Sequence, residues 1–235
     1  GTFAEDCAEA YQFTREAQDA YALQSLSRAK AAIGEGRFAG EIAAVPVSGK
    51  GGATTVSIDE QPGNARPDKI PQLKPAFRAD GTVTAANSSS ISDGAAALVV
   101  MTADEAERRG LAPLARIVGH ASYANEPRLF PTAPIGAMKK LFERTGWSAG
   151  EVDLFEINEA FAVVAMAAMR DLDLPADKVN VNGGACALGH PIGASGARIL
   201  VTLLAALKAS GGRRGVASVC IGGGEATALA LETMD

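Results

Sequence analysis

Between residues 115 and 232, short apolar runs alternate with stretches of helical period, and no other feature narrows the possible folds as much. ARIVGHA (115–121), DLFEI (153–157), KVNVN (178–182), GVASVCI (215–221) and ATALALE (226–232) read as strands. Helices are expected over 134–145, stopped at Gly146, over about 159–172, and from the end of a glycine-rich loop to near Ser210. The order βαβαβαββ requires crossover connections, and therefore a mostly parallel sheet covered by helices. The last two runs are separated by Gly222, Gly223 and Gly224 alone, which allows one antiparallel pairing and makes the sheet mixed.

Upstream the pattern is less regular. Thr14 is placed to cap a helix running to about Ile33, with Ala17, Tyr21, Leu23, Leu26 and Ala29 at roughly helical spacing and Gly34 and Gly36 as stop signals. Residues 37–90 are rich in Gly, Pro, Asn and Ser and read as short strands and loops, with Pro62 and Pro67 opposing a long helix. AAALVVMT (95–102) reads as a buried strand, and Thr102-Ala-Asp-Glu105 as a capping box opening a short helix to Arg109. The chain starts at Gly1, directly in a helix-rich stretch that reads like the middle of a protein.

The bulk composition sets the class. Hydrophobic content of 47% and charged content of 21% are those of an ordinary soluble globular protein. A net charge of -5 without a basic stripe argues against a nucleic-acid partner. No apolar run approaches the roughly 18 residues of a membrane span, so no membrane partner is expected. Cys7, Cys186 and Cys220 are an odd, sparse set that does not suggest a disulfide framework, so a reducing, cytoplasmic compartment is expected.

Three short motifs fall at strand ends, where ligand sites of α/β sheets lie. Asn158 follows DLFEI, His190 sits in the loop after KVNVN, and Cys220 stands near the end of GVASVCI, so one edge of one sheet would gather all three. The loop NVNGGACALGHPIGASGAR (180–198) packs five glycines and one of the chain's two histidines into nineteen residues. Glycines let a ligand or second loop approach the backbone, and Ser195-Gly196 opens a helix whose N-terminus favours negative charge. A histidine there would donate to a developing oxyanion or activate a thiol. Cys220 would need a partner to act as a base, since a free thiol titrates at about 8.5. The N–H groups of the turn at Gly222 are a candidate oxyanion hole. Asn158 is placed to cap the next helix, to hold a water or carbonyl, or both. Gly189, Gly193 and Gly196 match neither the dinucleotide fingerprint nor the P-loop. Cys7 and Cys186 read as structural.

NEAFA (158–162), the loop 180–198 and CIGGGEATALALE (220–232), with GTFAEDCAEAYQFTREAQDAYALQSLSRAKAAIGEGRFAGEIAAVPV, LKPAF (73–77) and GTVTAANSSSISDGAAALVVM (81–101), together resemble the thiolase family over the whole chain. The resemblance implies a layered α/β fold of two similar halves plus an inserted loop domain covering coenzyme A. Residues 1–91 would be most of that loop domain, 92–112 the end of the N-terminal half, and 113–235 the C-terminal half. It implies reversible Claisen condensation of acetyl-CoA to acetoacetyl-CoA, or thiolytic cleavage of 3-ketoacyl-CoA. Acyl-CoA and CoA would be the substrates, with no further cofactor and no metal. By that resemblance His190 activates the nucleophilic cysteine and helps hold the thioester oxygen, and Asn158 fixes a water in the same oxyanion hole. Cys220 is acid and base, and the Gly222 N–H stabilises the second oxyanion. Ser89 matches a position near the pantetheine arm, and Phe77, Ala160 and Phe161 match the substrate tunnel.

Two departures matter. No cysteine here matches the nucleophile, which should lie before Gly1, so this chain alone is expected to be inactive and to need the missing N-terminal half. Glu225-Ala226-Thr227 stands where many members continue with a small or uncharged residue and glycine, with the preceding glycines intact. Arg66 and Lys69 receive no phosphate-binding role, because DEQPGNARPDKI is atypical there. Homodimers or homotetramers are usual for the family. A decarboxylating ketoacyl synthase would carry a second histidine in place of Asn158 and lack Cys220. A non-catalytic acyl-CoA- or lipid-binding relative would not need the intact set of Asn158, His190 and Cys220.

Overall fold

A computed structural model describes residues 1–49 and 51–234. The chain opens with α1 (Thr2–Ala10) and α2 (Arg15–Gly34). Thr14 caps α2 by accepting from Ala17 N–H at 3.2 Å, and Gly36 turns the chain away with φ +71°. An antiparallel hairpin of β1 (Val45–Gly49) and β2 (Gly52–Val56) follows, then the single turn α3 (Glu60–Asn64) and a 3-10 turn at Pro67–Gln72. The helix α4 (Ala103–Arg108) makes half of the expected capping box. Thr102 accepts from the Glu105 N–H at 3.3 Å, whereas the Glu105 carboxylate turns to Arg108 and Arg109.

The remainder is built on a four-stranded mixed sheet in the order β3-β6-β5-β4, from β3 (Ala115–Ala124), β4 (Leu154–Ile157), β5 (Arg214–Ile221) and β6 (Glu225–Thr233). β4 and β5 are parallel, while β6 runs antiparallel to both β5 and β3, so two of the three pairings are antiparallel and the sheet is not mostly parallel as the alternation implied: the short glycine turn sends β6 back along β5, and β3 pairs with β6. Alternation along the strands sorts side chains into two cores. Phe155, Ile157, Val216 and Cys220 face α5 (Ala133–Thr145) and α6 (Ala162–Asp171), packing with Met138, Leu141, Val163 and Val164. Leu154, Ala217 and Leu231 face α8 (Ser195–Ser210), packing with Ile199, Leu203 and Leu207.

Three further expectations are corrected. Residues 95–102 are neither a paired strand nor buried: Val99 is 88% and Val100 70% exposed, and no described strand lies beside them. A continuous apolar run signals cover on both faces but does not supply it. KVNVN forms a single parallel bridge, Val179 to Phe155, instead of a fifth strand. Asn180 breaks the extended run with φ +48°, and its side chain takes over as pairing partner for Ile157. Its Oδ1 accepts from the Ile157 N–H and its Nδ2 donates to the Ile157 carbonyl, both at 2.8 Å. The helix expected from about Glu159 begins at Ala162 with Phe161 as its N-cap residue, so Asn158 does not cap it. Residues 158–161 stay out of the helix because they are already paired: Asn158 N–H to Ser218 O, Ala160 N–H back to Asn158 O, Ser89 N–H to Ala160 O, and Phe161 in a bridge with Ser88.

What seats the glycine loop on this frame is Glu159, whose side chain is sealed from solvent at 0% exposure. Its carboxyl group accepts from Tyr21 Oη at 2.9 Å, Ser25 Oγ at 2.8 Å, Asn180 Nδ2 at 2.9 Å and the Cys186 N–H at 3.0 Å. Two of these donors sit on α2 and one in the glycine loop, which also contains the short helix α7 (Ala185–Leu188). Gly184 lies so close that a Cβ there would meet the Glu159 carboxyl carbon at 2.3 Å.

Glu159→Ala would strand four buried donors, and a loss of about 3 kcal/mol or more is expected in denaturant unfolding, since orphaned partners of a buried charged or polar group cost the most. Leu203→Ala, which opens a cavity between α8 and the sheet, is expected to cost about 2–5 kcal/mol in the same measurement.

Candidate active site

Asn158 and His190 meet. The Asn158 Nδ2 lies 3.3 Å from the His190 Nε2, and Asn158 is 1% exposed. The opposite ring nitrogen, Nδ1, is 2.5 Å from the Ser195 Oγ. That hydroxyl donates its proton to the Pro191 carbonyl at 3.0 Å, one turn back. A hydroxyl has one proton, so towards His190 it accepts, and Nδ1 is the protonated nitrogen. Nε2 therefore presents its lone pair to the site, where the Asn158 amide donates to it. The Asn158 Oδ1 is left buried with no partner among the described residues. Burial, and next the positive charge of Arg198, hold the imidazole below its ordinary pKa of 6.5. The ring is a neutral base with a fixed tautomer.

The His190 loop is pinned from outside the sheet. The His190 N–H donates to the Ser90 carbonyl at 3.0 Å, and Ile91 bridges His190. The same short segment reaches the other motif, because the Ser89 Oγ and N–H both donate to the Ala160 carbonyl, at 3.0 and 3.1 Å. Residues 88–91 thus staple the 158–161 stretch to the glycine loop. Gln61 braces the staple by donating to the Ser90 Oγ and, at 3.2 Å, to the Ser92 Oγ. Phe77 packs edge-on to Phe161 with ring centroids 6.0 Å apart, and Phe130 adds a third ring at 6.2 Å from Phe161.

Cys220 stands on β5, two residues beyond Ser218, whose carbonyl takes the Asn158 N–H at 2.9 Å. Its thiol is free and buried. Burial pushes it up to about 12, so it rests protonated. The turn after it leaves the Gly222 N–H without a partner among the described residues. The last turn glycine, Gly224, has φ +102°, and a Cβ there would meet the Asn125 carbonyl oxygen at 2.4 Å. Cys7 is likewise driven to about 12, and Cys186 is pushed well up by burial and by Glu159. None of the three cysteines is a ready thiolate. Among the described residues no three His, Cys, Asp or Glu side chains are grouped to hold a metal ion, and no helix is long and apolar enough to cross a membrane.

The expected residues therefore fall into linked groups: Asn158 with His190, Ser89 with Ala160, Phe77 with Phe161, and Cys220 beside them with Gly222. Sequence reading missed Ser195 as the partner of Nδ1, Glu159 and Asn180 as the anchors of the loop, and Gln61 as the brace of the staple. Ser195, five residues after the histidine at a helix start, was within reach of a local reading. The others act across more than twenty residues of sequence.

Comparison with known proteins gives the family. A family model described as the thiolase N-terminal domain matches residues 1–104, and one described as the thiolase C-terminal domain matches residues 111–233. A probable acetyl-CoA acetyltransferase of Dictyostelium discoideum is 50% identical over 235 residues, covering 100% of this chain and 57% of that protein. The crystal structure of the Bacillus anthracis acetyl-CoA acetyltransferase superposes with a TM-score of 0.96 at 44% identity, over 99% of this chain and 59% of that one. An Ascaris suum thiolase in complex with coenzyme A superposes with a TM-score of 0.89 at 41% identity, over 99% of this chain and 59% of that one. The chain thus spans about three fifths of the length of the relatives it matches. On two matching family models and a shared fold, this chain belongs to the thiolase family.

Proposed function

We propose that the chain supplies the oxyanion-binding and acid–base groups of an acyl-CoA C-acyltransferase. The reaction is the condensation of two acetyl-CoA to acetoacetyl-CoA, or its reverse, thiolysis of a 3-ketoacyl-CoA. The observation that carries this reading is the His190–Asn158 contact, made at Nε2 while Nδ1 is tied to Ser195. The nucleophilic cysteine is carried outside these 235 residues, so the chain alone is inactive. Residues 1–91 are loop domain, 92–112 close the N-terminal half and 113–235 form the C-terminal half. Ser89, Phe77, Ala160 and Phe161 line the path of the acyl-CoA.

The proton inventory closes. His190 Nε2 takes the proton of the nucleophilic thiol as its sulfur attacks the thioester carbonyl. The new Nε2–H and a water on Asn158 hold the oxyanion until the CoA thiolate leaves. Cys220, resting as a thiol, gives that thiolate its proton. The Cys220 thiolate so formed removes the α-proton of a second acetyl-CoA, and the carbanion attacks the acyl-enzyme. The Gly222 N–H stabilises the oxyanion of this step. Acetoacetyl-CoA departs, and the nucleophile recovers its proton from His190.

In the full-length enzyme, Cys220→Ser is expected to slow condensation by about 10³-fold or more while the burst of CoA from acyl-enzyme formation persists; equal loss of both steps would contradict the assigned base. His190→Asn should depress both steps, and near-normal acylation would remove its activating role. Because His190 must be neutral to accept a proton and its pKa is lowered, acylation should stay flat down to about pH 6.5 and fall only below it.

A further inference from the structure

Arg198 lies on the face of α8 that starts with Ser195 and continues at Thr202, positions that share one side of a helix. Its guanidinium crosses to the sheet, where Nη1 stands 3.6 Å from Oε2 of Glu156 on β4. Glu156 is 2% exposed and lies two residues before Asn158. The contacts close a circuit. His190 binds Ser195, α8 carries Ser195 to Arg198, Arg198 meets Glu156, and β4 carries Glu156 to Asn158, which returns to His190. We propose that Arg198 is a positioning residue, which locks the first turn of α8 to β4 and so sets the His190 ring against the Asn158 amide. This rests on the role given above to His190.

The surrounding charges make Arg198 hard to replace. Three carboxyl groups face it: Glu156 from β4, Glu41 from the turn after α2, and Asp59 just before α3. Glu41 is itself tied to α8, accepting from Thr202 Oγ1 at 2.9 Å. Burial raises all three, and Glu156, which also feels Glu159, Glu41 and Arg28, is pushed to about 8. Arg198 opposes that rise in Glu156, and its charge also reaches His190, which it lowers. Arg198 Nη1, Glu156 Oε1 and Glu41 Oε2 are buried without hydrogen-bond partners among the described residues.

The test uses the full-length protein with exposed His120 changed to Asn, which leaves one imidazole from this chain to assign. His190 is titrated by nitrogen-15 NMR, and acylation by acetyl-CoA is followed by CoA release. Arg198→Met should raise the His190 midpoint by about half a pH unit or more, since losing a nearby cation favours imidazolium. It should lower acylation kcat about tenfold with KM changed less than about threefold, and move the acid limb of the rate upward with the midpoint. Arg198→Lys keeps the charge and loses the planar reach. It should leave the midpoint near wild type while acylation stays several-fold slow. A wild-type midpoint and wild-type acylation in Arg198→Met would overturn the proposal. If that variant does not fold, wild-type acylation in Arg198→Lys would overturn it instead. A shifted midpoint in a protein whose parent shows no acylation would sink the proposed reaction and leave the positioning role standing.

Discussion

A carboxyl group that water does not reach holds the site together. Burying Glu159 costs several kcal/mol unless its oxygens are met by donors, and here they are met by four. That requirement is directional, unlike the apolar packing around it. It dictates where α2 sits relative to β4 and how the chain runs through Gly183 and Gly184, and it orders the peptide next to Asn158. Asn180 is the second member of the same device. One side-chain amide stands in for a strand beside Ile157 and also donates to Glu159. Polar groups at the end of a strand, where the ladder stops, thus do the orienting that the sheet no longer can.

The electrostatics of the site follow from burial more than from neighbouring charge. Cys220 rests as a thiol and His190 as a neutral ring, each shifted first by desolvation. Neither group therefore rests with a charge. Tyr21 obeys the same logic: burial and Glu159 push its phenol far up, which keeps it a hydroxyl donor to that carboxyl group.

Much of the fold was legible because it is written in local period and punctuation. Strands at 115–124, 154–157, 214–221 and 225–233 and helices at 133–145 and 195–210 lie close to where alternation, glycines and caps put them. The places of Asn158 and Cys220 at strand ends were legible for the same reason. Residues 95–102 and 178–182 were misread for a shared cause. Apolarity and β-branching say that a segment suits a sheet, but pairing needs a neighbour, and for 95–102 none is present among the described residues while for 178–182 an asparagine side chain takes the place. Of the two roles read for Asn158, the helix cap fails because the helix starts only at Ala162.

The residues by themselves determined a mixed α/β half with glycine-built loops at its strand ends, because side-chain period, φ freedom and capping are settled within a few positions of the chain. Tertiary structure alone decided which imidazole nitrogen faces the site, which segment staples the two loops, and that Glu156 meets Arg198. Those outcomes depend on single hydrogen-bonding atoms brought together from remote parts of the chain under burial, where an unmet donor or acceptor is costly and therefore selects one arrangement.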